Sequence, residues 1–435
     1  MKFYDREKET KELRQIEDLS VRQSQLTYIM GRRRIGKTAL VRHAFTRHPT
    51  LYFFVSKKTE VLLCEEFVNQ AEQELQVSLG TFTSFAKLFR ALMLIGTHKH
   101  FTLVIDEFQS FIGINQSIYS EMQNVWDELK DTSHVNVVCC GSMFHLMKKI
   151  FEDHGEPLYG RATNKMVVKP FDVNTLKTIL KDHNPRYKSD DLLCLYMLTG
   201  GVAKYVELLM GKRATSQNKM LSTVVSENSY FLTEGHDILV DEFGRDYATY
   251  FSILSLIAQS KTTRGEIESV LGIETGGYLN KLETWYGLIS RNTPFRAKSG
   301  GKVVRYRMMD KFLTFWFCFV YKYRSSLEIG NIPYVAQVVK ENYETYSGRI
   351  LEDYFKDKLA LTKKYSEIGS YWNRKGESEI DIVTVDEKKK TVTCIEVKRQ
   401  AKKLNLATLK QKMQELKNLA PGYTLKPAGL TLDEM

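Results

Sequence analysis

The sequence predicts an α/β protein with a parallel sheet at its N-terminal end, a helical lid, a winged helix and a second α/β domain at its C-terminal end. Three observations carry this prediction. Residues 31–38, Gly-Arg-Arg-Arg-Ile-Gly-Lys-Thr, fit the phosphate-binding loop G-x-x-x-x-G-K-[ST] directly after an apolar run. Phe101-Thr-Leu-Val-Ile-Asp-Glu107 is an apolar strand that ends in two acids. Near the end of the chain, the β-runs Ile380–Val385 and Thr391–Val397 place Asp381, Glu396 and Lys398 close to one another in a hairpin.

The chain has 435 residues, which suggests roughly two to four domains. A composition of 43% hydrophobic and 26% charged residues is that of a folded, soluble protein and excludes a disordered one. The net charge of +11 favours an anionic partner such as nucleic acid or a membrane surface. The six cysteines form no Cys-x-x-Cys pair, so they read as reduced core residues of a cytoplasmic protein. The opening residues lack the apolar core of a signal peptide. Phe312–Tyr321 is too short to cross a bilayer and is expected to be a buried helix, so no membrane partner is expected.

Residues 1–170 are expected to form the sheet domain, with strands at 26–30, 51–55, 101–105, 135–140 and 165–168. In the loop, Gly31 and Gly36 permit the tight turn that brings backbone N–H groups against phosphate oxygens, and Arg32, Arg33, Arg34 and Ile35 lie between them. The helix that begins at Thr38 aims its positive end at the same anion. Lys37 is expected to reach the β- and γ-phosphates of ATP, and Thr38 to bind Mg²⁺. Asp106 is placed to hold Mg²⁺ through water, and Glu107 to polarise the attacking water. Together these acids point to hydrolysis and not merely to binding. Ser142, after the strand at 135–140, is placed to sense the γ-phosphate, although a simple Gly-Ser turn fits the spacing equally well.

Residues 171–246 look helical, with a break at Gly200-Gly201. Residues 247–310 give three short helical patterns and then a hairpin, the order of a winged helix. The hairpin segment Arg291–Arg307 holds Arg291, Arg296, Lys298, Lys302, Arg305 and Arg307 and no acid, with Ser299-Gly300-Gly301 as its turn. Such a wing suits phosphate contacts to DNA, or it is a solvated hairpin that packs on the ATPase.

Residues 311–435 carry the third observation. Asp381 and Glu396 can meet on neighbouring strands and hold Mg²⁺ or Mn²⁺, and Lys398 shares the face of Glu396. Glu352, on an upstream helix, can complete the metal site or activate water. This is the pattern of metal-assisted phosphodiester cleavage.

These motifs, together with Phe3-Tyr-Asp-Arg-Glu7, Tyr159-Gly-Arg161 and Trp372, resemble the archaeal-type AAA+/STAND ATPases that end in domain of unknown function 234, a module similar to PD-(D/E)XK nucleases. The resemblance implies an AAA+-like P-loop core, a restriction-endonuclease-like C-terminal domain and an adenine nucleotide. It implies a sensor role for Ser142, and for Arg161 a γ-phosphate contact in cis or from a neighbouring subunit of a homo-oligomer. This chain departs from the family at Ala203, where proline is usual, and at Glu379-Ile380, where the named motif has proline. Two functions fit: an ATPase coupled to DNA binding and metal-dependent cleavage, or an ATP-switched DNA-binding or scaffold protein whose nuclease-like domain is inactive.

Overall fold

The computed structural model describes residues 2–435 except 245–246, 298–302 and 375; of Asp241 it describes the backbone alone. The chain divides into two compact units, Asp5–Lys169 on one hand and Met1–Tyr4 with Pro170–Met435 on the other.

The first unit is built on five parallel strands, β1 (Gln25–Met30), β2 (Thr50–Phe54), β3 (Phe101–Asp106), β4 (Val135–Gly141) and β5 (Asn164–Val167). Their order in the sheet is β2-β3-β4-β1-β5. β3 and β4 are buried along their whole length, which explains their unbroken apolar runs. Leu51, Phe53, Leu103, Ile105, Val137 and Cys139 pack with Phe67, Phe85, Phe89 and Trp126 of the intervening helices into one continuous core. The right-handed crossover rule and this strand order bring the ends of β1, β3 and β4 side by side, where ligands bind in open parallel sheets.

The second unit starts with helices at Val173–His183, Ser189–Thr199, Ala203–Gly211, Gln217–Val224 and Tyr230–Phe243. Tyr247–Ala258, Arg264–Leu271 and Gly276–Thr284 follow, then the antiparallel pair β6 (Ile289–Asn292) and β7 (Arg305–Met308). Three helices and a hairpin are the order expected from the sequence. The expected turn Ser299-Gly300-Gly301 and the basic residues Lys298 and Lys302 lie outside the described residues. The expected buried helix at 312–321 divides into an α-helix, Lys311–Phe315, and a π-helical turn, Trp316–Tyr321, whose aromatic side chains are largely buried.

A long helix, Ile332–Leu361, leads into a mixed sheet of β8 (Glu367–Trp372), β9 (Glu379–Asp386), β10 (Thr391–Val397) and β11 (Thr424–Leu430). The order is β11-β10-β9-β8, antiparallel except that β10 and β11 run parallel across a connection that includes the helix Leu406–Lys412. Phe295, between β6 and β7, belongs to the core of this sheet with Tyr371, Ile380 and Val383. Its N–H donates to the Ser370 carbonyl at 2.8 Å. The β6–β7 hairpin is thus anchored on the mixed sheet, and burying a phenyl ring there contributes about 2 kcal/mol.

No helix among the described residues is long and apolar enough to cross a membrane.

Candidate functional site

The phosphate loop leaves β1 at Gly31 and enters its helix at Lys37. Gly36 has φ 97°, a left-handed conformation that glycine adopts without strain. A Cβ on Gly31 would stand 3.0 Å from the Val168 carbonyl oxygen, so the close turn requires glycine. Arg34 is also left-handed, at φ 68°. Lys37 is 6% exposed. Its ammonium donates to the carbonyls of Gly31 at 2.7 Å and Arg32 at 3.2 Å. Burial lowers its pKa, and the Glu107 carboxylate opposes that shift.

Asp106 ends β3, and Thr38 Oγ1 donates to its Oδ2 at 3.1 Å. Its Oδ1 accepts the Glu107 N–H at 3.0 Å. The Tyr52 hydroxyl, from β2, donates to the same Oδ2 that Thr38 uses. Glu107 has φ 54°, and its carboxylate is fixed by two neutral donors: Ser142 Oγ at 2.7 Å and the Gln109 amide. The ends of four adjacent strands therefore deliver Tyr52, Asp106, Ser142 and the phosphate loop to one edge of the sheet. Strand patterning alone does not reveal Tyr52, because its role depends on which strands are neighbours. Arg161 stands apart from this group, with its guanidinium engaged by Asp127 at 3.2 Å and by the Tyr159 carbonyl at 2.9 Å.

In the second unit, β9 and β10 pair with Ile382 opposite Ile395, so Asp381 and Glu396 lie just beyond the last pair of the ladder. Asp381 Oδ2 accepts the Val397 N–H at 2.8 Å. Lys398 Nζ lies 3.5 Å from Asp381 Oδ2 and 3.5 Å from Glu396 Oε1. Glu396 Oε2 accepts the Asn405 N–H at 2.8 Å. Burial, with the Asp381 charge added, raises Glu352 to about 7. Among the described residues no three His, Cys, Asp or Glu side chains form a group that could hold a metal ion. Glu352 therefore stands near Asp381 without joining it and Glu396 in a three-ligand cluster.

Glu352 and Asp381 line a cavity of about 950 Å³, together with Glu379, Trp372, Arg305 and Arg307. The hairpin arginines reach acids of the C-terminal region. Arg305 pairs with Glu379 at 3.0 Å and covers the Trp372 ring at 4.7 Å. Arg307 lies 3.3 Å from Asp353 and 3.9 Å from Glu352. Arg296 pairs with Glu367 at 3.0 Å. Burial raises Asp353, but Lys311 and Arg307 outweigh it and hold the carboxyl at about 2. The sequence left open DNA contact or packing on the ATPase; the hairpin's described contacts are instead with the C-terminal region. Phe295 supplies the apolar anchor and the acids supply the partners.

Comparison with known proteins agrees with the first unit's construction. Residues 3–209 match an ATPase domain found predominantly in Archaea. Residues 316–412 match a domain of archaeal and bacterial proteins of unknown function. An uncharacterized protein of Methanocaldococcus jannaschii is 28% identical over 408 residues, which cover 91% of this chain and 87% of the relative. The Walker-type ATPase of Pyrococcus abyssi superposes with a TM-score of 0.55 at 20% identity, covering 73% of this chain and 96% of that structure, and so shares its fold. The chain is an ATP-hydrolysing enzyme, and its residues 3–209 are similar to an archaeal-type ATPase domain.

Proposed function

We propose that this chain, an archaeal-type P-loop ATPase joined to a mixed-sheet domain, uses ATP to control metal-dependent cleavage of DNA. The observation that carries the reading is the Asp381–Glu396–Lys398 group: two carboxylates on neighbouring strands with one ammonium 3.5 Å from each. Oxygen donors flanking a cationic position suit Mg²⁺ or Mn²⁺, and a lysine beside them can orient a water or a phosphate oxygen. Glu352, at about 7, can take or give a proton at neutral pH in the cavity that Asp381 also lines.

At the ATP site, the Thr38 hydroxyl and the Asp106 carboxylate converge to 3.1 Å, and two hard oxygens at that spacing fit Mg²⁺. The cation, when bound, neutralises charge on the β- and γ-phosphates. Lys37 exchanges its loop carbonyls for phosphate oxygens. Glu107, aimed by Ser142 and Gln109, accepts the proton of the attacking water as the bond from the γ-phosphorus to the bridging oxygen breaks. Arg161 serves a neighbouring subunit's γ-phosphate in a homo-oligomer once its pairing with Asp127 opens.

The test is incubation of DNA with Mn²⁺ and either the native protein or Asp381→Ala. The expected result is cleavage by the native protein, none by the variant, and equal ATP hydrolysis by both. Absence of cleavage by the native protein with Mg²⁺ and with Mn²⁺ overturns the nuclease reading.

A second reading is an ATP-switched DNA-binding or scaffold protein without cleavage. It is favoured by the ion pairs of Lys398, whose single ammonium already offsets part of the charge of both carboxylates. Nucleotide-dependent DNA affinity with steep salt dependence, without strand scission, supports that reading.

A further inference from the structure

We infer that Tyr52 is a positioning residue of the ATPase, which sets the orientation of Asp106 and Thr38 and through them the affinity for the divalent cation that accompanies ATP. The inference rests on the reading of Thr38 and Asp106 as the cation site.

Three oxygens form a closed triangle at the end of the sheet. Thr38 Oγ1 lies 3.1 Å from Asp106 Oδ2. The Tyr52 hydroxyl lies 3.2 Å from Thr38 Oγ1 and also donates to Asp106 Oδ2. A phenol has one proton to give, and the charged carboxylate is the stronger acceptor. Asp106 is only 5% exposed, so its orientation is decided by protein donors and not by bulk water. Oδ1 is held by the Glu107 N–H and Oδ2 by Thr38 and Tyr52, which together fix the plane of the carboxylate.

The fold explains why a residue of β2 does this. β2 lies beside β3 with Phe54 opposite Asp106 and Tyr52 opposite Val104. The acid is therefore two positions along β3 from the partner of Tyr52. A tyrosine side chain is long enough to lean along the strand to that point, and a serine or threonine is not. The ring is steadied by the Arg42 guanidinium, 5.0 Å from its centroid. Partners that orient a metal's ligands in this manner change metal affinity by about ten- to a hundredfold when removed.

The experiment compares the native full-length protein with Tyr52→Phe, which removes one oxygen and keeps the ring, and with Tyr52→His, which restores an N–H donor. Two titrations with Mg²⁺ are read: the rate of ATP hydrolysis, and the rise in melting temperature caused by ADP plus Mg²⁺ over ADP in EDTA. Tyr52→Phe is expected to need about tenfold more Mg²⁺ in both, with ADP binding in EDTA unchanged and partial recovery in Tyr52→His. Identical Mg²⁺ titrations for native protein and Tyr52→Phe overturn the inference. If Tyr52→Phe does not fold, Tyr52→His carries the test: a raised Mg²⁺ demand with ADP binding in EDTA unchanged upholds the role, and an unchanged Mg²⁺ demand overturns it. Native protein whose hydrolysis and melting ignore Mg²⁺ instead removes the cation site itself, a distinct failure.

Discussion

At the end of the parallel sheet, Asp106 and Glu107 are held by neutral donors: Thr38 and Tyr52 on one, Ser142 and Gln109 on the other. At the edge of the mixed sheet, Asp381 and Glu396 face the ammonium of Lys398, and Glu379 and Asp353 face arginines of the hairpin. Neutral donors orient a carboxylate and leave its charge in place for a cation. Ion pairs offset part of that charge and occupy the space a metal or a phosphate would take. The first site is ready for its ligand, whereas the second must exchange partners to work. Under the proposed function, nucleotide acts by opening these ion pairs.

The comparison can be broken from either side. The largest effect is expected at the ATP site. Lys37→Ala should remove ATP hydrolysis almost completely, and Glu107→Gln should slow it about a hundredfold or more while ATP still binds, as measured by phosphate release and nucleotide binding. A Glu107→Gln protein with native turnover contradicts the assignment of Glu107.

The next effect concerns the anchor of the hairpin. Phe295→Ala should lower stability by about 3 kcal/mol, because a ring is removed from a closed core. Chemical denaturation measures this, and a change near zero shows that the hairpin is not seated as described.

The third concerns pH. Glu352 titrates at about 7 in the folded chain, above the ordinary carboxylate range. A raised acid contributes stability that is fully present below its unfolded pKa and is lost as pH rises through the folded value. The melting temperature of the second unit should therefore fall between about pH 5 and pH 8, and Glu352→Gln should flatten that part of the profile. An unchanged profile in the variant contradicts the burial of this carboxyl.

The smallest effect is expected for the ion pairs. Arg305→Gln removes a partly exposed pair with Glu379 and should cost about 0.5 kcal/mol or less. If this pair masks the acidic site, the same variant cleaves DNA faster than the native protein under equal conditions.

The fold class was legible because its signals are local. The apolar runs of the five N-terminal strands mark β1 to β5 to within a residue or two, and the hairpin tip at 386–390 separates β9 from β10. The phosphate loop and the acids after β3 were legible from spacing. Tyr52 was not, since nothing in a strand of alternating residues tells which neighbouring strand end it will serve; Gln109 reaches Glu107 only because a 3-10 turn, Phe108–Gly113, follows β3. The hairpin was legible only by halves. Its charge was plain, but the choice between phosphate contacts and internal pairing turns on Phe295 meeting Ser370 across a long stretch of chain. A residue pair so distant in sequence leaves no periodic trace.

The most direct test of the coupling between the two sites is scission of supercoiled DNA with Mn²⁺ in the presence of ATP, of ADP and of neither, by the native protein and by Lys37→Ala. The account predicts that nucleotide changes the native rate severalfold and that Lys37→Ala holds one rate in all three conditions. Cleavage by the native protein at one rate whatever the nucleotide contradicts it.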